Sequence, residues 1–226
     1  MEFQAMISQN KQHMYRNLGE KPHQNVCFIA IPDVKSDLSN QQFFNCNFEN
    51  CRFSNSDLSS SEFINCQFTN CDLSYADLRG SGFRDAVFNE CEIVGVDFST
   101  CNTSMSSFMF FRCVLDYSNF ASMRMVMTTF NNCTLCNASF IGADLTASSF
   151  DNCDLSEARF ESTILDEADF KSAYNFNIDP RLNRIKNASF SHLNIRGLLN
   201  TFDIKVDESH SYCEQILDML MPYSLK

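Results

Sequence analysis

The chain has 226 residues, with 23 Phe, 12 Cys and no Trp but only 6 Gly and 4 Pro, too few turn-formers for a hairpin-rich β-sandwich. Its formal net charge of -11 disfavours non-specific attraction to nucleic-acid phosphates or anionic lipid and makes any charged partner a basic one. No stretch approaches the roughly 18 consecutive apolar residues of a membrane span, and the opening Met1-Glu2-Phe3-Gln4 lacks the basic start and apolar run of a secretory signal. A soluble, cytoplasmic protein with reduced thiols is therefore expected.

Residues 1–35 read as an N-terminal leader or cap, of mixed polarity with mild helix potential from Met6 to Leu18. From residue 38 the chain becomes a repeat. A large apolar residue returns at every fifth position, through Leu38, Phe43, Phe48, Phe53 and Leu58 to Phe98, and again from Leu115, Phe120 and Met125 to Phe170. Two positions before each stands a small side chain or a thiol, as at Cys51, Ser61, Cys71, Ala86, Cys113 and Ala143. A period of five matches neither the 3.6 of a helix nor the 2 of a single strand. It matches a coil with five-residue sides, each turning one large and one small residue inward. Cys51, Cys71 and Cys91 are 20 apart, as are Cys113, Cys133 and Cys153, and Phe43, Phe63 and Phe83, so four sides make one coil. Like side chains then stack on like at ~4.8 Å. Asn45, Asn50, Asn65, Asn70, Asn132 and Asn152, each just before a Cys, suit the corners, because Asn tolerates turn backbone.

The two series do not share a register. Leu115 lies seven residues beyond Phe108 rather than five, so two extra residues have entered near 104–112. A β-bulge with its apolar residues tucked inward would account for them. The alternative is a protrusion that offers Met105, Phe108, Met109, Phe110 and Arg112 to a partner. Beyond the repeat, Phe202, Ile204 and Val206 alternate as a closing strand would. Ser211 and Glu214 form a capping-box pattern that opens a last helix, with Tyr212, Ile216, Leu217, Leu220 and Met221 on one face and Pro222 as its stop. Such a helix would cover the open end of the coil.

Ala76-Asp77-Leu78-Arg79-Gly80 and Ala143-Asp144-Leu145-Thr146-Ala147 carry an A(D/N)LXX pattern, and from residue 38 to about 175 the sequence resembles the pentapeptide-repeat proteins. The resemblance implies an all-β fold: a right-handed quadrilateral β-helix of about seven coils over residues 36–176, with a C-terminal capping helix in a 177–226 module. Phe108-Met109-Phe110-Phe111-Arg112-Cys113 and the tail Asn177-Ile178-Asp179-Pro180 to Asn183-Arg184-Ile185 are most similar to the quinolone-resistance (Qnr-type) and microcin-immunity members. Those members interact with DNA gyrase, and their C-terminal module joins two rods end to end, which implies a homodimer here. In one respect the chain departs from them. Qnr proteins of Gram-negative bacteria carry two loops projecting from the coil, whereas residues 38–98 here run uninterrupted and the later break adds only two residues.

Catalytic chemistry finds little support. Cys133-Thr134-Leu135-Cys136 is a lone CxxC without the second ligand pair of a zinc site, and the period puts Cys133 inside the coil and Cys136 outside. The four His stand at 13, 23, 192 and 210, outside the repeat, so no Ser–His or Cys–His pair forms on its sides. No enzyme, cofactor or metal is expected. The acids are more informative, since residues 36–176 hold 19 acidic against 7 basic side chains. Asp37, Asp57, Asp77 and Asp97 each precede the central apolar residue at 20-residue intervals, which makes one exposed column, and Asp72 and Glu92 begin another. Like charges ~4.8 Å apart repel by about 1 kcal/mol even in water. The acids either fill the family's usual position and keep the rod soluble, or serve a partner. The family resemblance implies a DNA mimic that occupies the basic DNA-binding surface of DNA gyrase or topoisomerase IV, protects it from quinolones or peptide toxins, and binds neither nucleic acid nor membrane. A structural scaffold for a partner unrelated to topoisomerases is the alternative.

Overall fold

The structure, a computed structural model, describes residues 22–31, 38–102, 106–202 and 204. Each five-residue unit turns its first and third side chains inward, as with Cys51 and Phe53 or Ser61 and Phe63, all buried. Its fifth residue makes the corner. Among the described residues, at 25 non-glycine positions, 12 of them Asn, the backbone is left-handed with φ between 51° and 62°. No Val, Ile or Thr stands at any of these, since β-branching makes that conformation costly. Asn does the work that Gly does in other turns, which is why so few Gly suffice. Its side chains also climb the rod as ladders, with Asn65 Nδ2 donating to Asn45 Oδ1 and Asn45 Nδ2 to Asn25 Oδ1, both at 3.2 Å.

Four such units close one turn of a right-handed quadrilateral β-helix, and successive turns pair in parallel. Face one carries Phe43, Phe63 and Phe83, and after the break Met125, Leu145 and Leu165. Face two is a nine-stranded parallel sheet from Cys27–Ile29 to Ser189–Phe190. Faces three and four are narrower, paired through single bridges such as Asp72↔Glu92 and Asp57↔Asp77. Nine stacked strands span eight turns, one more than the period alone counts. The ladder runs past both limits of the repeat, because Phe28 pairs with Phe48 before it and Phe190 with Phe170 after it.

The core is therefore a set of columns. Phe28, Phe48, Phe68, Phe88, Phe110, Phe130, Phe150, Phe170 and Phe190 form one continuous stack with ring centroids 4.7 to 5.3 Å apart. On face four, Phe98, Phe120, Phe140 and Phe160 form another. The small inward residues do more than save space. Cys71 Sγ donates to the Phe48 carbonyl at 3.3 Å and Cys66 Sγ to that of Phe43 at 3.4 Å, while Ser61 and Ser81 hydroxyls do the same for Leu38 and Leu58 at 2.7 and 2.8 Å. Thiol and hydroxyl thus play one role, satisfying a carbonyl of the turn before.

The register break resolves locally. At Asn102 the N–H still donates to the Ser81 carbonyl of the previous turn, but across the break, from Ala86↔Phe108 to Asp97↔Asn119, partners are 22 apart, and the spacing returns to 20 from Met109↔Thr129 upward. Phe108 stands where other turns have Cys66 or Ala86, and Phe110 takes the central place above Phe88. Both are buried, and Phe108 fills the interior against Phe83 and Phe98. The chain then leaves the coil through a turn in which Gly197 is pressed on Phe176, so close that an added Cβ would lie 2.3 Å from its ring. Asp37, Met105 and the helix expected to carry Tyr212, Ile216, Leu217, Leu220 and Met221 lie outside the described residues.

Candidate protein-interaction surface

The first acidic column lies on face four. Asp57 and Asp77 pair across adjacent turns, and Asp97 pairs onward with Asn119. Each carboxylate also closes its own turn by accepting from the N–H two residues on: Asp57 from Ser59 at 2.9 Å, Asp77 from Arg79 at 3.1 Å and Asp97 from Ser99 at 3.1 Å. The column is not uniformly negative. Arg79 sets its guanidinium on Asp77, Nη2 to Oδ2 at 2.5 Å, and this hydrogen bond holds the Asp77 carboxyl below the usual range. Beyond the break the same positions are Asn119, Ser139 and Arg159, so the acidic run ends there.

Face three continues it. Arg52, Asp72, Glu92, Val114, Thr134, Asp154 and Tyr174 follow one another up this face. Asp116 and Glu157 join them from other places in their units, so among the described residues face three sets Asp72, Glu92, Asp116, Asp154 and Glu157 against Arg52 alone. A search at 20-residue spacing misses Asp154, because the two added residues shift the count, and Asp116, because it stands at another place in its unit. Tyr75, Tyr117 and Tyr174 also project from this face, all exposed. Face two is less charged. From Gln67 to Ser149 its outward strand positions are Gln67, Thr69, Val87, Asn89, Met109, Phe111, Thr129, Asn131 and Ser149, all uncharged, while Glu49, Asp151 and Asp169 stand toward its ends and Glu90 and Arg112 at its corners.

Of the five residues at the break, Phe108 and Phe110 point into the core. Met109 faces outward, and Arg112 reaches back to Glu90 at 2.9 Å and to Asn89 at 2.7 Å. Cys133 is buried, with Sγ donating to the Phe110 carbonyl at 3.5 Å, while Cys136 is half-buried on the outside. Burial, then the charge of Asp116, pushes the Cys136 thiol above its ordinary value, and a raised thiol is neither a nucleophile nor a ready ligand. Among the described residues no three His, Cys, Asp or Glu side chains are placed to hold a metal ion, and no helix is long and apolar enough to cross a membrane.

A pentapeptide repeat region model matches residues 41–120, and a pentapeptide repeats model matches residues 113–152 and 153–174. The chain belongs to the pentapeptide-repeat family. Among solved structures it is similar to QnrB1, a plasmid-mediated fluoroquinolone resistance protein. A trypsin-treated QnrB1 variant aligns with a TM-score of 0.61 at 19% identity, over 81% of this chain and 97% of that one. Full-length QnrB1 aligns with a TM-score of 0.53 at 21% identity, over 81% of this chain and 100% of the other. At such identity the likeness is one of fold. A comparison with curated protein sequences finds no match.

Proposed function

We propose that this pentapeptide-repeat protein is a non-catalytic DNA mimic, a cytoplasmic and homodimeric rod that occupies the basic DNA-binding surface of DNA gyrase or topoisomerase IV and spares the enzyme from quinolones or peptide toxins. The observation that carries this reading is the run of carboxylates at one-turn intervals along the adjoining faces three and four, charge held at ~4.8 Å steps on a rigid support. The fold shared with QnrB1 agrees with it. The scaffold alternative is favoured by a different observation: the carboxylates of Asp57, Asp77 and Asp97 are already employed in closing their own turns.

A charge-only change separates the two. Asp57, Asp77 and Asp97 are replaced together by Asn, which keeps size and the turn-closing bond. Asn119, in the same column, already accepts from the Ala121 N–H at 3.1 Å, so folding is expected to be unchanged. Gyrase binding, measured in competition with DNA and with supercoiling followed with and without a quinolone, is expected to weaken about tenfold, with a shallower response to salt. If the variant binds as well as the parent, or the parent does not bind either topoisomerase at low salt, the scaffold account replaces the mimic.

A further inference from the structure

Every described tyrosine lies on face three, the most acidic of the four faces. Tyr75 and Tyr117 take the corner position of their units, in a column that reads Asn55, Tyr75, Gly95, Tyr117, Asn137. Neither ring serves the core, since they are 60% and 64% exposed. Neither serves the turn, because at φ 58° and 61° Asn would be easier than a bulky aromatic. The Tyr75 ring is nonetheless held in place. It lies across Gly95 one turn up, so close that a Cβ added there would meet Cε1 at 2.5 Å. The absent side chain of Gly95 gives the ring a bed on the backbone and leaves its other side open. Two turns, or ~9.6 Å, separate the two tyrosine positions, with Asp72, Glu92 and Asp116 beside them on the same face.

We propose that face three docks arginine side chains of a basic protein partner, with Tyr75 and Tyr117 as stacking surfaces and Asp72, Glu92 and Asp116 as the acceptors beside them. The proposal rests on the reading of the rod as a ligand for a basic surface and adds which cation that surface must present. Charge alone does not distinguish lysine from arginine. An aromatic face does, because the planar guanidinium stacks on it while its N–H groups still reach carboxylates at the ring's edge, and the compact, strongly hydrated ammonium does this less well.

The test uses the full chain with octa-arginine and octa-lysine as probes, their affinities measured calorimetrically at low and physiological salt. The parent is expected to bind octa-arginine about fivefold more tightly than octa-lysine, a preference that survives salt better than the shared electrostatic part. Changing Tyr75 and Tyr117 together to Asn is expected to abolish the preference and leave octa-lysine binding unchanged. The fold is kept, because Asn55 and Asn137 already stand in this column at the same φ, and circular dichroism and melting verify it. A parent without the preference, or a double variant that retains it, overturns the proposal while the acidic-rod reading stands. If neither peptide binds the parent at low salt, that reading falls as well.

Discussion

The phenylalanine column gives the most direct physical test of the fold. Phe130 is fully buried at mid-rod, stacked on Phe110 at 5.2 Å and Phe150 at 5.0 Å and meeting Phe120 and Phe140 edge-on at 6.1 and 6.0 Å. Truncating a buried Phe to Ala costs about 3–5 kcal/mol through lost transfer energy and the cavity left behind, and each aromatic pair adds about 0.5–1.5 kcal/mol beyond area. Phe130→Ala is expected near the upper end, at about 5 kcal/mol. Phe190 ends the same column, half-buried, with Phe170 stacked on one side at 5.3 Å and Phe176 tilted against it at 5.5 Å, so Phe190→Ala should cost about 2 kcal/mol. In a solenoid each turn contacts only its neighbours, and an internal residue loses two interfaces where a terminal one loses one. Urea unfolding followed by circular dichroism measures both, and Phe130→Leu, expected at about 1–2 kcal/mol, keeps a folded comparison should the alanine variant fail to fold. Equal costs at the two positions, or a loss below about 1 kcal/mol at Phe130, would refute the column argument.

Three further outcomes follow from the same geometry. Native thiol labelling should be fast at exposed Cys27, slower at Cys136, and absent at the buried cysteines, among them Cys101, whose thiol burial and then the charge of Asp97 push up to about 12; rapid labelling of any buried Cys would overturn the inward assignment. Asp179 accepts from the Arg181 guanidinium at 2.6 Å and from its backbone N–H at 2.8 Å, which lowers its carboxyl from 3.8 to about 2. Because the folded value is the lower one, the ionised carboxylate stabilises the end turn at pH above the unfolded value, and this is lost as pH falls through about 2. An NMR titration should find the low midpoint in the parent and a rise toward the ordinary range in Arg181→Gln; an unmoved midpoint would refute the cause. Gly95→Ala puts a side chain at φ +66°, 2.5 Å from the Tyr75 ring. It should cost about 1 kcal/mol and displace Tyr75, seen as a change in tyrosine iodination; unchanged stability and labelling would contradict the contact.

The local rules of this protein were legible in its sequence because each unit repeats the same physical problem. One large and one small residue must face inward, and one must turn left-handed, so Phe53, Cys51 and Asn55 declare their places without knowledge of any other turn. The twenty-residue echo of Phe43, Phe63 and Phe83 then counts the sides. Contacts between turns were another matter, because they depend on the number of residues in each coil, and two added residues changed that number to 22 in the one turn that runs from Ala86↔Phe108 to Asp97↔Asn119. Across that turn a 20-residue spacing no longer identifies neighbours. Only the tertiary structure set Asn119 above Asp97 and Val114 above Glu92, gathered Asp116 and Asp154 with the earlier acids on one face, and put Phe108 in the core. It also decided what side-chain reach determines and period does not: Arg79 folded back onto Asp77, and the ring of Tyr75 laid across Gly95.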